Sequence, residues 1–267
     1  MDDTYTHGHH ESVLRSHRWR TAENSAGYLL PYLKPGRRLL DVGCGPGTIT
    51  VDLAARVAPG QVIGIDREHA VIAEAARLLE ETKPGNVEFK TADAYTLVEY
   101  DDQSFDVVHA HQLLQHLADP VRALAEMRRV LRQGGILAIR DSDYSGFVWA
   151  PPDPLLDRWM ELYHDVCSRN GANADAGRRL PGWARAAGFN VIKPTSSTWT
   201  FADPSTRLWW GELWAERVIS SALAEQAVNY GLSTYEELRM ISSAWRRWAE
   251  QDDAIFVVLH AEVIARR

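Results

Sequence analysis

The sequence predicts an α/β protein with a doubly wound, mostly parallel sheet of seven strands. Three observations support this prediction. Five short β-like runs alternate with helical segments in the first half of the 267-residue chain, a glycine-rich turn follows the first run, and two more β-like runs lie near the C-terminus. Regular alternation of strands and helices is typical of βαβ units, whose strands pair in parallel.

The first five β-like runs are short and apolar, and they occupy residues 38–42, 61–66, 87–90, 105–110 and 135–140. After the second run, residues 70–82 place Val71, Ala75 and Leu78 on one helical face, and a Lys-Pro-Gly sequence follows. Residues 121–131 repeat this spacing before a pair of glycines. Both segments are predicted to be amphipathic helices that pack against the sheet.

The last two β-like runs, 189–195 and 254–264, are separated by a segment rich in tryptophan. Ser233 and Glu236 have the spacing of a capping box, which predicts a helix to about residue 249. We therefore divide the chain into an N-terminal helical cap (1–34), a core (35–201 and 254–267) and a helical insertion before the last strand (202–253) that covers the substrate. Alternatively, the tryptophans only fill a core.

Composition narrows the classes of function. The 45% hydrophobic and 24% charged residues are typical of a folded globular chain, and 36 acidic against 29 basic residues make nucleic acid a poor partner. No apolar run approaches the roughly 18 residues of a membrane span, so we expect no membrane partner. Cys44 and Cys167 indicate no disulfide framework, and we expect a cytoplasmic protein. The oligomeric state does not follow from the sequence.

A glycine-rich turn lies between the first predicted strand and the next helix. Gly43, Gly45 and Gly47 follow the strand residues at 39–42. Glycines permit a sharp turn and let a ligand approach the main chain. Their G-x-G-x-G spacing differs from the G-x-G-x-x-G fingerprint of dinucleotide sites. The turn thus favours a nucleotide-type ligand without a pyrophosphate.

Two acidic residues follow the second and third predicted strands. Asp66 lies 21 residues beyond Gly45, where a carboxylate can accept hydrogen bonds from both ribose hydroxyls of an adenosine. Asp93, followed by Ala94, is suited to an adenine amino group, with the Ala94 amide able to donate to the ring. The alternatives are an N-cap role for Asp66 and an ordinary loop position for Asp93.

These motifs together resemble those of class I S-adenosylmethionine (SAM)-dependent methyltransferases, which have a Rossmann-like sheet. The similarity covers roughly residues 36–142 and includes D-V-G-C-G-P-G, I-G-I-D, A-D-A, F-D-V-V-H-A-H-Q-L-L-Q-H-L and R-V-L-R-Q-G-G. The run Q-L-L-Q-H-L is similar to the ubiquinone/menaquinone-type small-molecule methyltransferases. Residues 5–10 and 17–21 more loosely resemble the fungal enzymes that S-methylate the dithiol of gliotoxin-type metabolites.

The resemblance implies SAM as cofactor and a set of residues that bind it. The glycine turn should lie under the methionine part, Asp66 at the ribose and Asp93 with Ala94 at the adenine, while backbone carbonyls after the fourth strand should receive the methionine ammonium. The cofactor residues predicted in this way are Gly43, Cys44, Gly45, Gly47, Asp66, Arg67, Asp93, Ala94, His109 and Ala110.

Residues that face the acceptor are predicted from the same sheet edge and from the N-terminal segment. His111 is the candidate catalytic base, because a histidine changes protonation near neutral pH. No metal is predicted, since a sulfonium is already an activated electrophile. The predicted substrate-binding residues are Tyr5, His9, His10, Trp19, Gln112, Asp141 and Trp149. Surface or structural roles remain the alternatives for the histidines, packing for the aromatic residues and a turn cap for Asp141.

The predicted function is SAM-dependent methyl transfer to a small-molecule acceptor, with a thiol or dithiol metabolite as the first choice. Methylation of oxygen, nitrogen or carbon in a secondary metabolite or quinone-like compound is the alternative. Two other classes remain open, a non-catalytic SAM-binding regulator and an NAD(P)-dependent oxidoreductase. The glycine spacing and the lack of a Tyr-x-x-x-Lys pair after the fourth strand weaken the oxidoreductase hypothesis.

Overall fold

The computed structural model describes residues 3–8 and 10–267, which form eight strands and ten α-helices. The strands are β1 (Leu39–Val42), β2 (Val62–Asp66), β3 (Val87–Thr91), β4 (Phe105–His111), β5 (Leu131–Ser142), β6 (Val148–Ala150), β7 (Val191–Phe201) and β8 (Ile255–Arg266). The helices are α1 (Glu11–Arg18), α2 (Ala22–Ala26), α3 (Thr48–Val57), α4 (His69–Thr82), α5 (Pro120–Val130), α6 (Pro154–Arg169), α7 (Leu180–Ala186), α8 (Pro204–Ser220), α9 (Ala222–Asn229) and α10 (Tyr235–Glu250).

The strands form one mixed sheet. Strands β3, β2, β1, β4 and β5 are parallel neighbours in that order, and β8 runs antiparallel to β5. Strand β7 covers one edge of β8, while β5 and then β6 pair along its other edge. The predicted α/β fold is confirmed. The sheet has eight strands rather than the expected seven, because the three-residue β6 is too short to show a period in the sequence.

The central strands are buried on both faces. Leu40 and Val108 belong to the apolar cluster under α5 and α7, while Leu39 and Val107 belong to the cluster under α2 and α3. A parallel strand covered by helices on both faces has no solvated side, and this explains its continuous apolar sequence. The carboxyl ends of these strands meet at one edge of the sheet, where α/β proteins bind their ligands.

A second layer of helices, α6, α8, α9 and α10, packs beside β7 and β8 around an aromatic core. Trp159 lies 4.6 Å from Trp214 and 4.9 Å from Trp245, measured between ring centroids. The helices predicted for residues 202–253 are present. Within them Trp245 fills a core, as the alternative held, whereas Trp214 belongs to this core and also lines a cavity. Helix α6 also belongs to this layer, because Trp159 and its apolar neighbours pack there. The division into core and insertion remains a prediction.

The predicted capping box of the last helix is wrong by one residue. Thr234 caps α10, since its hydroxyl oxygen accepts from the backbone N–H of Glu237 at 3.1 Å. The Ser233 hydroxyl instead donates to the Glu237 carboxylate at 2.6 Å. Serine and threonine hydroxyls can both accept a hydrogen bond from the first backbone N–H groups of a helix, and the backbone geometry places Thr234 in this position.

The N-terminal segment lies against the helical layer. Helix α1 contacts α8, and Val13 is completely buried there. Arg217 of α8 donates to the carbonyl oxygen of Ser12 at 3.0 Å and to the Ser16 hydroxyl at 2.9 Å. The segment before β1 is therefore held in place by specific contacts. Among the described residues, no helix is both long and apolar enough to cross a membrane.

Candidate active site

The glycine turn between β1 and α3 has the backbone that its residues predicted. Gly43, Gly45 and Gly47 all have positive φ, at 72°, 56° and 86°. A Cβ at Gly47 would lie 2.4 Å from the Phe89 ring, so a side chain does not fit there. At Gly45 the nearest atom to such a Cβ is Nδ1 of His17, 4.0 Å away. The turn thus leaves its main chain accessible beneath His17.

Asp66, at the end of β2, is bound to the glycine turn. Its Oδ2 accepts from the backbone N–H of Gly45 at 3.1 Å, and its Oδ1 accepts from the backbone N–H of Glu68 at 3.0 Å. A carboxylate has about four acceptor sites, more than these two hydrogen bonds use. Asp66, Arg67 and Cys44 all line the central cavity. This placement is compatible with the predicted ribose contact.

The predicted adenine contacts lie elsewhere. Neither Asp93 nor Ala94 lines the cavity. Asp93 is exposed, and its carboxylate accepts from the backbone N–H of Tyr95 at 2.8 Å, as an ordinary loop aspartate does. Their role at the adenine therefore stays a prediction without support from the cavity.

The His109 side chain contacts Asp41 of β1 and does not line the cavity. Its Nδ1 lies 2.7 Å from Oδ1 of Asp41, and the hydroxyl of Thr50 donates to the other oxygen of that carboxylate. Both His109 and Ala110 are completely buried. Any contact of these two residues with the cofactor would thus use the backbone, as predicted for the methionine ammonium. Of these three hydrogen-bonded side chains, His109, Asp41 and Thr50, only Asp41 also lines the cavity.

A cavity of about 150 Å³ lies between the strand ends, the N-terminal segment and the helical layer. Four acidic residues line it, namely Asp3 from the N-terminal segment and Asp41, Asp66 and Glu68 beside the glycine turn. The remaining wall is mostly aromatic and basic, and includes Tyr5, His7, His17, Trp19, Arg20, His111, Gln112, His116, Tyr144, Trp199, Trp210, Trp214 and Arg217. The cavity is smaller than the roughly 300–1,000 Å³ of typical ligand pockets.

His111 is the predicted base, and the structure places it in the cavity wall at the end of β4. It is 6% exposed, and among the described residues neither ring nitrogen has a hydrogen-bond partner. Burial, followed by the charges of Arg20 and Arg140, lowers the pKa of His111 well below its ordinary value. The ring is therefore neutral at pH 7 and can accept a proton or a hydrogen bond.

Gln112 follows His111 and connects three elements of the site. It has φ of 51°, a conformation that few residues other than glycine adopt. Its Oε1 accepts from Arg20 at 2.6 Å, and its Nε2 donates to the Ser142 hydroxyl at 2.8 Å. This arrangement holds the Arg20 guanidinium at the cavity. Gln112 thus lies in the cavity wall, and its contact with the substrate stays a prediction.

Tyr5 and Trp19, two of the other predicted substrate residues, also line the cavity. Trp19 packs against Trp199, with 5.2 Å between the ring centroids. His9 lies outside the described residues. Tyr5 and Trp19 thus extend from the N-terminal segment into the wall of the cavity at the strand ends.

Three substrate predictions are not supported by the structure. Trp149 stacks on Phe256 at 5.8 Å in the aromatic core, because β6 directs it away from the cavity. His10 caps α1 by accepting from the backbone N–H of Ser12 at 3.2 Å. Asp141 is completely buried and accepts from the backbone N–H of Gln115 at 3.1 Å, so it braces the turn after β4.

Several residues of the cavity wall were not predicted. His7 lies 2.9 Å from the Tyr163 hydroxyl through Nε2, and its Nδ1 has no partner among the described residues. Arg20 belongs to the N-terminal segment 17–21, but no contact with cofactor or substrate was predicted for it. Arg217 lies on α8, whose sequence shows only a run of aromatic and aliphatic residues. The folded chain alone brings Arg217 to the strand ends.

The chain is similar to known methyltransferases. The model of the family described as "Methyltransferase domain" matches residues 33–201. An uncharacterized methyltransferase of Schizosaccharomyces pombe is 34% identical over 98% of this chain and 96% of its own length. A demethylmenaquinone methyltransferase of Clavibacter sepedonicus is 31% identical over 70% of this chain and 78% of its own. An O-methyltransferase of Penicillium expansum is 36% identical over 60% of this chain and 54% of its own length.

The solved structures with a similar fold include a methyltransferase from a nematode. A phosphoethanolamine N-methyltransferase 2 of Haemonchus contortus, in complex with phosphomonomethylethanolamine and S-adenosylhomocysteine, superimposes with a TM-score of 0.56. The superposition covers 91% of this chain and 52% of that one, at 19% sequence identity. The resemblance to ubiquinone/menaquinone-type methyltransferases is confirmed by the relatives. That to dithiol S-methyltransferases stays a prediction.

Proposed function

This chain belongs to the methyltransferase domain family and is a SAM-dependent methyltransferase, and we propose that its acceptor is a small molecule methylated on a thiol sulfur. The observation that carries the choice of sulfur is the environment of His111. Its ring is buried, neutral and without a partner among the described residues, but the low pKa makes it a weak base. A weak base suits an acceptor that ionises easily, and thiols, with a pKa of about 8.5, do so more readily than phenols at about 10.

The residues of the glycine turn fit the cofactor. Gly45 leaves the main chain of the turn accessible, and three carboxylates, Asp41, Asp66 and Glu68, line the same part of the cavity. Negative charge suits the ribose hydroxyls, the ammonium and the sulfonium of SAM. We propose that these residues and Arg67 hold the cofactor, together with the backbone of His109 and Ala110.

When bound, the cofactor supplies a methyl group on a positively charged sulfur. The proposed reaction forms a bond between the acceptor sulfur and this methyl carbon and breaks the sulfonium carbon–sulfur bond, with S-adenosylhomocysteine as the second product. His111 takes the thiol proton and passes it to solvent. Tyr5 and Trp19 exclude water from the reacting atoms, and Gln112 positions Arg20 beside them. Alignment of the two reactants is the main contribution to the rate.

The test is a panel of small acceptors offered with isotopically labelled SAM. Matched thiols, phenols and amines are compared, and mass spectrometry identifies the atom that carries the label. We expect methyl on sulfur with the highest kcat/KM. Transfer to oxygen, as the name of the Penicillium relative suggests, with inert thiols would exclude sulfur and leave the methyltransferase activity standing.

A further inference from the structure

Two guanidinium groups line the cavity, that of the buried Arg217 and that of the partly buried Arg20. By comparison, Arg15 is paired with Glu216 at 2.6 Å, and the buried Arg140 is paired with Glu262 at 3.3 Å. Within residues 3–8 and 10–267, no carboxylate lies within 4.0 Å of Arg20 or Arg217, although both face the cavity. The cavity wall thus carries two cations that no carboxylate of the described residues contacts.

Arg217 is the more deeply buried of the two, at 4% exposure. Its Nη2 donates to two neutral oxygens of α1, and its guanidinium carbon lies 4.6 Å from the centre of the Trp214 ring. Its Nε is buried and has no partner among the described residues. The group is therefore oriented by neutral contacts and retains a donor that none of them uses.

Such a cation is costly for the folded protein by itself. Burying a charge without a counter-charge costs several kcal/mol, whereas an anion in the same place can form two strong hydrogen bonds with a guanidinium. Burial lowers the pKa of Arg20 to about 10, which leaves it charged at neutral pH. A guanidinium fork is suited to the two oxygens of a carboxylate.

We infer that the acceptor carries a carboxylate, which Arg217 binds from α8 while the thiol lies toward His111. This inference rests on the proposed function and identifies the class of acceptor more closely. The contacts of Arg217 are with α1 and with Trp214, and none is with the glycine turn. Arg20 is held by Gln112, next to the strand end predicted for the methionine part of SAM. The cofactor's own carboxylate is thus a competing source of negative charge, nearer to Arg20.

The experiment separates these two sources. The protein is saturated with S-adenosylhomocysteine and titrated with matched pairs, benzoate against benzamide and 2-mercaptobenzoate against thiophenol, with melting temperature and calorimetry as readouts. We expect each carboxylate to bind about 10-fold to 100-fold more tightly than the partner that lacks the carboxylate, as a charged hydrogen-bonded pair allows. Arg217→Met should abolish this preference and leave the affinity for SAM unchanged.

Controls keep the result unambiguous. Arg217→Lys retains the charge and should retain part of the preference, while Arg246→Met removes an exposed arginine of α10 and should change neither binding constant. Equal affinity for acids and amides in the parent protein would overturn the inference without any variant. A loss of SAM affinity in Arg217→Met with the acid preference intact would assign this arginine to the cofactor instead. Failure of the parent to bind SAM would reject the proposed function itself.

Discussion

The Asp66 carboxylate accepts a hydrogen bond from the backbone N–H of Gly45, with 3.1 Å between Oδ2 and the nitrogen. This bond joins the end of β2 to the turn after β1, across 21 residues of sequence. One side chain thus shapes the glycine turn and remains exposed to the cavity that the turn borders.

Asp66→Ala should weaken SAM binding by about 2–3 kcal/mol, because hydrogen bonds to a charged group contribute about 1.5–3 kcal/mol each before compensation. Isothermal titration calorimetry measures the change. Asp93→Ala is the matched control, since this aspartate is exposed and does not line the cavity. An unchanged SAM affinity in a folded Asp66→Ala variant would remove Asp66 from the cofactor site. Weakened binding in Asp93→Ala would restore its predicted contact with the adenine.

Gly47→Ala should destabilise the protein more than Gly36→Ala does. Both glycines have similar positive φ, 86° and 83°, but a Cβ at Gly47 meets the Phe89 ring and one at Gly36 meets nothing within 4 Å. We expect about 1–2 kcal/mol for the backbone strain at Gly36 and roughly 1–3 kcal/mol more at Gly47 for the steric conflict. Urea unfolding measures both. Equal losses would show that Phe89 moves aside without cost.

His111→Ala should lower kcat by no more than about 10²–10³-fold if the acceptor is a thiol, because a thiol already ionises by a few per cent at neutral pH. Raising the pH should then restore part of the rate. His69→Ala, at an exposed position on α4, is the control and should retain full activity. A larger loss would indicate an acceptor that depends on the base, such as a phenol. No loss at all would exclude His111 from the reaction.

Asp141→Asn should change how stability depends on pH. Burial raises the pKa of the Asp141 carboxyl to about 7, despite backbone hydrogen bonds that act in the opposite direction. Between about pH 4 and 7 the unfolded chain loses this proton while the folded chain keeps it, so the parent loses stability as the pH rises through that window. The asparagine cannot ionise, and its side-chain oxygen can still accept from Gln115.

The stability of Asp141→Asn relative to the parent should therefore increase by roughly 1 kcal/mol for each pH unit from pH 5 to 7, and then level off. Urea unfolding at half-unit steps of pH gives the two curves. Asp93→Asn controls for the simple loss of a carboxylate. A difference between variant and parent that stays constant over this range would contradict a raised pKa at Asp141.

Local sequence predicted the features that depend on near neighbours. The apolar runs predicted the five parallel strands, since strands covered on both faces must be apolar along their length. Gly43, Gly45 and Gly47 predicted a turn with positive φ because other residues adopt that backbone at a cost. The position of Asp66 after the second strand predicted a carboxylate at the tip of that strand, and the fold brings this carboxylate to the backbone N–H of Gly45.

Features that depend on packing between distant segments could not be predicted from local sequence. His10 and Asp141 are polar residues near the predicted site, but each is used by a nearby backbone amide. Trp149 resembles a pocket residue by type, and a three-residue strand directs it to Phe256 instead. A residue type indicates what a side chain is able to bind, whereas its direction follows from the fold.

The sequence by itself determined the parallel sheet, the glycine turn and the methyltransferase family, because each is encoded by residues within a few positions of one another. Only the tertiary structure decided which cations face the cavity. Arg20 and Arg217 are 197 positions apart, and α1 must pack on α8 before the second reaches the strand ends. Such long-range packing follows from the burial of Val13 and the aromatic core as a whole, which no local pattern contains.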